Sequence, residues 1–132
     1  MIRRETPLDP ETESLVELII DCAVTVHRGL GPGYVESIYR NAFCLELQER
    51  QIPFACESSV MIMYREKPVG IHRMDLIVAD TVIVELKAVK WLEPAHQVQL
   101  LSYLKATHLH VGLLMNFGGA TLMQGGLRRF VL

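Results

Sequence analysis

Asp75, Glu85 and Lys87 lie in one stretch, RMDLIVADTVIVELK, from Arg73 to Lys87. It reads as two short strands joined at Ala79-Asp80-Thr81. Two-residue alternation puts Ile71, Arg73, Asp75 and Ile77 on one face of the first strand, and His72, Met74, Leu76 and Val78 on the other. In the second strand, Ile83, Glu85 and Lys87 share a face opposite Val82, Val84 and Leu86. A hairpin turning near Asp80 sets Asp75 roughly opposite Glu85. Like charges across neighbouring strands repel, so the pair calls for a bound cation or for Lys87. Alone, a Glu-x-Lys on a strand reads as an exposed ion pair of little energetic consequence. Asp75 on the adjoining strand turns the reading toward metal-assisted hydrolysis of a phosphodiester.

Magnesium takes oxygen ligands in near-octahedral geometry and keeps several waters. Asp75, Glu85 and Glu36 can supply carboxylate oxygens, and the carbonyl of Leu86 lies between Glu85 and Lys87. Such a metal, with manganese as a substitute, polarises a phosphoryl group and acidifies a water. Lys87 would hold or deprotonate the attacking water, or neutralise charge developing on phosphorus. Gln99 and Tyr103 share a helical stripe with His96 and could orient the phosphate or the lysine. Taken singly, Tyr103 reads as a core aromatic with a wet tip, and Glu36 as a residue capping the start of its helix.

The spacing predicts the elements that must position these groups. Residues 1–10 read as an arm, with Pro7 and Pro10 opposing a helix. Leu15, Ile19, Cys22 and Val26 recur at helical spacing, predicting a helix from about Thr12 to Arg28, ended by Gly29-Leu30-Gly31-Pro32-Gly33. A second helix runs from about Tyr34 to Arg50, with Val35, Ile38, Tyr39, Ala42, Phe43, Leu45 and Leu47 on its apolar arc and Glu36 at the margin. An extended segment follows within residues 54–66, with a turn at Lys67-Pro68, then the hairpin from about Val69 to Ala88. Pro94 opens a third helix to about Thr107, packed through Leu100, Leu101 and Leu104. HVGLLM (110–115) is a strand, Asn116-Phe117-Gly118-Gly119 a loop, and GLRRFVL (126–132) a closing strand. The order α-α-β-β-β-α-β-β predicts an α/β fold, a mixed sheet flanked by helices, with residues 11–132 as one domain.

Composition bounds the class. The chain has 132 residues, half of them hydrophobic, with a formal charge of -2, which suits one globular core and argues against a strongly basic coat. No apolar run has the length of a membrane span, and the charged start MIRRETPLDPETE lacks a signal-peptide core. Cys22, Cys44 and Cys56 are odd in number and lack CxxC spacing, predicting reduced, mostly buried thiols in a cytoplasm. The six methionines read as core filler. His108 and His110 lack a third zinc ligand, and His27 reads as a helix-end cap. Arg73, Lys90, Lys105, Arg128 and Arg129 are the candidate nucleic-acid contacts; Trp91 could stack on a base but is expected to pack beneath the third helix.

Gly33-Tyr34-Val35-Glu36-Ser37-Ile38-Tyr39 resembles the signature of the GxxExxY protein family, placed in the PD-(D/E)XK nuclease superfamily. The resemblance extends to HRGLGPGYVESIY, RMDLIVADTVIVELKAV, HQVQLLSYLKAT and GLLMNFG, nearly the whole chain. It implies a restriction-endonuclease-like fold, with Asp75 as the metal-binding aspartate, Glu85 and Lys87 as the (D/E)XK pair, Glu36 as the acid from the preceding helix, and Gln99 and Tyr103 as a Q-x3-Y element. Met74 stands where the superfamily label has proline. The implied partner is nucleic acid, DNA in preference to RNA, and many nucleases on this scaffold pair as homodimers to cut duplexes. Two classes of function follow: a metal-dependent nuclease, or a non-catalytic nucleic-acid- or protein-binding module on the same scaffold. A small-molecule enzyme is disfavoured, because the glycine-rich segment joins two helices instead of following a strand.

Overall fold

The computed structural model describes residues 8–132. Of the arm expected over residues 1–10, residues 1–7 therefore lie outside the described residues. Pro10 opens a helix instead of opposing one: α1 spans Pro10–Leu30, with Asp9 as N-cap accepting from Thr12 N–H at 2.7 Å. Proline suits this first position because its missing N–H would have no helical partner there. After the glycine turn, α2 spans Glu36–Glu49. Then come β1 (Phe54–Tyr64), β2 (Lys67–Val78), β3 (Val82–Lys87), α3 (Pro94–Thr107), β4 (Val111–Asn116) and β5 (Leu127–Val131). The predicted order holds throughout.

The five strands form one sheet in the order β1-β2-β3-β4-β5. β3 and β4 are parallel, and the other neighbours are antiparallel. Parallel neighbours need a long crossover, which α3 supplies. One apolar layer packs α1 and α2 on the sheet through Ile19, Phe43, Val82, Val84 and Leu86. The other packs α3 through Leu100, Tyr103 and Leu104 against Ile83 and Leu114. β3 and β4 are covered on both sides, which explains their near-continuous apolar sequences.

Three local expectations change. The first hairpin turns at Arg65-Glu66, both in the left-handed region (φ 51° and 63°), while Lys67 pairs with Tyr64 and Pro68 with Met63. Asn116 is not in a loop; it ends β4 opposite Lys87. On α2, only Tyr39, Phe43 and Leu47 of the expected arc are buried, while Val35, Ile38 and Leu45 are exposed. The helix begins two residues later than expected, and one layer of sheet covers only a narrow stripe of it.

Strict alternation also fails in the long β1–β2 hairpin. Met74 packs on the α3 side with Val60 and Ile83, whereas Leu76 and Val78 pack on the α1–α2 side. The break falls at Asp75, where the β1–β2 pairing skips Glu57 and Asp75, and Glu57 has φ 50°. A left-handed residue in a strand re-aims the side chains beyond it. The base of the hairpin thus faces α2, and its outer part faces α3.

Candidate active site

The carboxylates of Asp75 and Glu85 meet where the β2–β3 pairing stops. Regular pairs run from Val78↔Val82 to Leu76↔Val84. Beyond them Asp75 N–H donates to Glu85 Oε2, and Leu86 N–H donates to Asp75 Oδ2, each at 2.8 Å. Each side chain thus satisfies a backbone donor of the opposite strand, which locks both in place without a rung of backbone ladder. The sequence-predicted juxtaposition of the two acids is present.

Electrostatics mark the pair as charge-starved. Glu85 is only 4% exposed. Burial, then the Asp75 carboxylate, push its pKa up to about 8 against 4.5 for the free side chain, and the hydrogen bond from Asp75 N–H and the Lys87 ammonium offset only part of that. Burial also raises Asp75, opposed by the Leu86 hydrogen bond and by Arg40. Glu36 at the start of α2 is raised by burial and then by Asp75, and feels Lys87, Arg40 and His96. The N-cap residue before it, Val35, has no side-chain capping bond, and Glu36 is in electrostatic range of Asp75.

α3 carries the remaining predicted residues. Lys87 Nζ reaches Gln99 Oε1 at 3.4 Å. Tyr103 is buried, its ring edge-on to His72 at 5.7 Å, and its hydroxyl is pushed above the usual range by burial and then by the charges of Glu85 and Asp75. Of the stripe, His96 does something else: Nδ1 accepts from Glu93 N–H at 3.0 Å in a capping box.

Arg40 belongs to the site and was missed in the sequence. Its Nη1 lies 3.6 Å from Asp75 Oδ1 and its Nη2 4.0 Å from Glu57 Oε2. The available signal was its spacing of four residues from Glu36, which puts both on one helical face. Asn116 was also missed. Buried at the end of β4, it accepts through Oδ1 from Val89 N–H and Gly118 N–H and donates through Nδ2 to Val89 O, all at 3.0 Å. With Phe117 N–H donating to Lys87 O at 2.8 Å, it pins the chain that leaves Lys87.

Other expectations are corrected. Trp91 does not pack beneath α3: it is 62% exposed on the segment between β3 and α3, with Lys90 Nζ 5.1 Å from its ring centroid. Its neighbour Leu92 packs against the α3-side core instead. Arg129 is held by Glu13 of α1 through two hydrogen bonds of 3.0 and 2.5 Å. His27 is buried and caps no helix end; its Nε2 lies 3.1 Å from Phe117 O and 3.0 Å from Gly119 O, so it carries the proton and donates to that loop. Met61, Met63 and Met123 are exposed, while Met74 and Met115 fill the core. Only Cys22 of the three thiols is buried.

A family model for the PD-(D/E)XK nuclease superfamily matches residues 13–130. The chain belongs to the PD-(D/E)XK nuclease superfamily. The five-stranded mixed sheet between helices is the fold expected of it. No curated protein and no solved structure matches the chain.

Superfamily members generally use divalent metals, and the residues present can be tested against one. Among the described residues, no three His, Cys, Asp or Glu side chains stand together as a ready-made cage. Magnesium needs none, since it is commonly held by one or two carboxylates with waters and substrate phosphates. Two adjacent carboxylates raised by burial, Glu85 further by the charge of Asp75, are what a cation between them would relieve. The donor set therefore fits a hard divalent ion.

Proposed function

We propose that this chain is a metal-dependent nuclease that hydrolyses phosphodiester bonds of nucleic acid, DNA in preference to RNA. The observation that carries the reading is the crossed pairing of half-buried Asp75 with buried Glu85, like charges held together, with Lys87 two residues beyond Glu85. Asp75 and Glu85 would hold Mg2+, or Mn2+ in its place, with the Leu86 carbonyl and Glu36 as further oxygen donors. When bound, the ion supplies Lewis-acid polarisation of the phosphoryl group and a more acidic water. Lys87, steadied by Gln99, would place its ammonium against the attacked phosphate and hold the water in line. Tyr103 would close the α3 side of the site and keep it dry. Trp91 and Lys90 would meet a base and its phosphate beside it.

Within the superfamily, we assign the chain to the GxxExxY family. Each letter of the motif has a structural task that supports this. Gly33 takes φ 116°, where a side chain would be strained. Glu36 faces the acids. Tyr39 is buried, donates to Gly31 O at 2.6 Å, accepts from Tyr34 N–H at 3.2 Å and stacks on Phe117. Residues 11–132 would act as one domain, in a cytoplasm, and as a homodimer where both strands of a duplex are cut.

The test is direct. Labelled single- and double-stranded DNA and RNA are incubated with the protein and magnesium or manganese. Wild type cleaves, and Glu85→Gln and Lys87→Ala lose at least about 100-fold of the rate. Equal background in all three proteins overturns the reading. Light scattering reports the pairing of copies.

One observation favours the second reading, a non-catalytic binding module: the Arg40 guanidinium already neutralises Asp75. Calorimetry separates the two. Manganese uptake that vanishes in Asp75→Asn supports the nuclease; absence of uptake, with nucleic-acid binding retained, supports the module.

A further inference from the structure

Cys44 of α2 and Cys56 of β1 bring their sulfurs to 2.7 Å across the seam between the two elements. Both are thiols, Cys44 half-buried and Cys56 exposed. This approach is well inside the contact distance of two unbonded sulfurs, and a shift of about 0.7 Å separates it from the roughly 2.05 Å of a disulfide. Neither thiol is used by the hydrolytic site. Yet the two flank it: Cys44 lies one helical turn after Arg40, and Cys56 precedes Glu57 and pairs with Leu76, the neighbour of Asp75.

We propose that Cys44 and Cys56 form an intramolecular disulfide by exchange with a small-molecule disulfide. The geometry sets the order of events. The exposed Cys56 thiolate attacks one sulfur of the small disulfide; the S–S bond breaks, a mixed disulfide forms on Cys56, and one small thiolate leaves. Cys44 then loses its proton to solvent and attacks Cys56 Sγ, displacing the second small thiolate. Two protein thiols are oxidised, one small disulfide is reduced to two thiols, and no further oxidant is needed. Burial, then the hydrogen bond with Cys56 and its charge, hold the Cys44 thiol up at about 12, while Arg40 acts in the opposite sense. Capping Cys56 removes the two contributions that come from it, so the first step prepares the second. Cys22, buried in the α1 core, stays out of reach.

The bond would tie the helix that carries Glu36 and Arg40 to the hairpin that carries Asp75. In a reducing compartment such a bond is transient and reversible. Its formation does not depend on the hydrolytic activity, and its test does not either.

The full chain, reduced and then freed of reductant, is incubated with oxidised glutathione. Thiol titration under denaturing conditions should fall from the three thiols of the sequence to one, with no glutathione adduct at the end point. Digestion without reduction should yield a Cys44–Cys56 cross-linked peptide from monomeric protein. Cys22→Ser should still lose two thiols, and Cys44→Ser should stop at a single glutathione adduct on Cys56. Dithiothreitol should restore all thiols. Stable glutathione adducts on wild-type Cys56, or a dimer joined through Cys56, overturn the proposal.

Discussion

Glu85 sits in a position that charge alone would forbid, and its surroundings give a signed prediction. Its folded pKa, about 8, is above the 4.5 of the free side chain. Across that window the folded state keeps a proton that the unfolded state has released. The associated stability is fully present below about pH 4.5 and is lost as pH rises through about 8. Asp75 and Glu36 are raised as well and act in the same direction, while Lys87 and Arg40 face the pair and moderate it. The melting temperature of metal-free protein should therefore fall from about pH 5 to about pH 9, and Glu85→Gln should flatten that fall. Protons and metal compete for the same oxygens. Manganese should then raise the melting temperature more at about pH 8 than at about pH 6; an equal rise at both would place the metal elsewhere. Trp91 offers a second readout. Being 62% exposed, it should be fully quenchable by acrylamide, and bound single-stranded DNA should protect it.

At the level of elements, the site depends on how α3 and β4 are seated. A Cβ added at Gly112 of β4 would lie 2.9 Å from Leu100 Cδ1 of α3. Gly112→Val must displace the Leu100 side chain from its buried seat and disturb the packing of α3 on the sheet; denaturant titration should show a loss of about 1–3 kcal/mol. The strand-end clamp gives a complementary case. Asn116→Ala leaves the backbone groups of Val89 and the N–H of Gly118 without their partner. It should cost about 2 kcal/mol in the same titration. Cleavage should weaken beyond what the lost stability explains, because the backbone following Lys87 loses its anchor. If activity at low temperature is untouched in Asn116→Ala, the clamp serves the fold alone.

On the scale of the whole molecule, two apolar layers share one sheet. β3 contributes Val82, Val84 and Leu86 to the layer under α1 and α2, and Ile83 to the layer under α3. Loss of this strand would therefore undo both layers at once. Unfolding in urea should be a single transition, with far-UV ellipticity and tyrosine fluorescence coincident. Separate midpoints would show that α3 detaches first. Within the described residues, no helix is long and apolar enough to cross a membrane.

The periodicity of apolar residues was enough to order all eight elements and to sort β3 into two faces, because that strand pairs with β4 without a break and is covered on both sides. It was enough, too, to set Asp75 against Glu85, since a short hairpin has little freedom of register. Side-chain alternation could not foresee the left-handed residue at Glu57, so Met74 was sorted to the wrong face. Nor could it place Arg40 beside Asp75, bury His27 against the Phe117 loop, or expose Trp91. Those outcomes depend on how far α2 stands from the hairpin and on which backbone groups remain to be satisfied once the layers close. Local sequence carries the rhythm of each element, whereas the distances between charges on different elements exist only after packing.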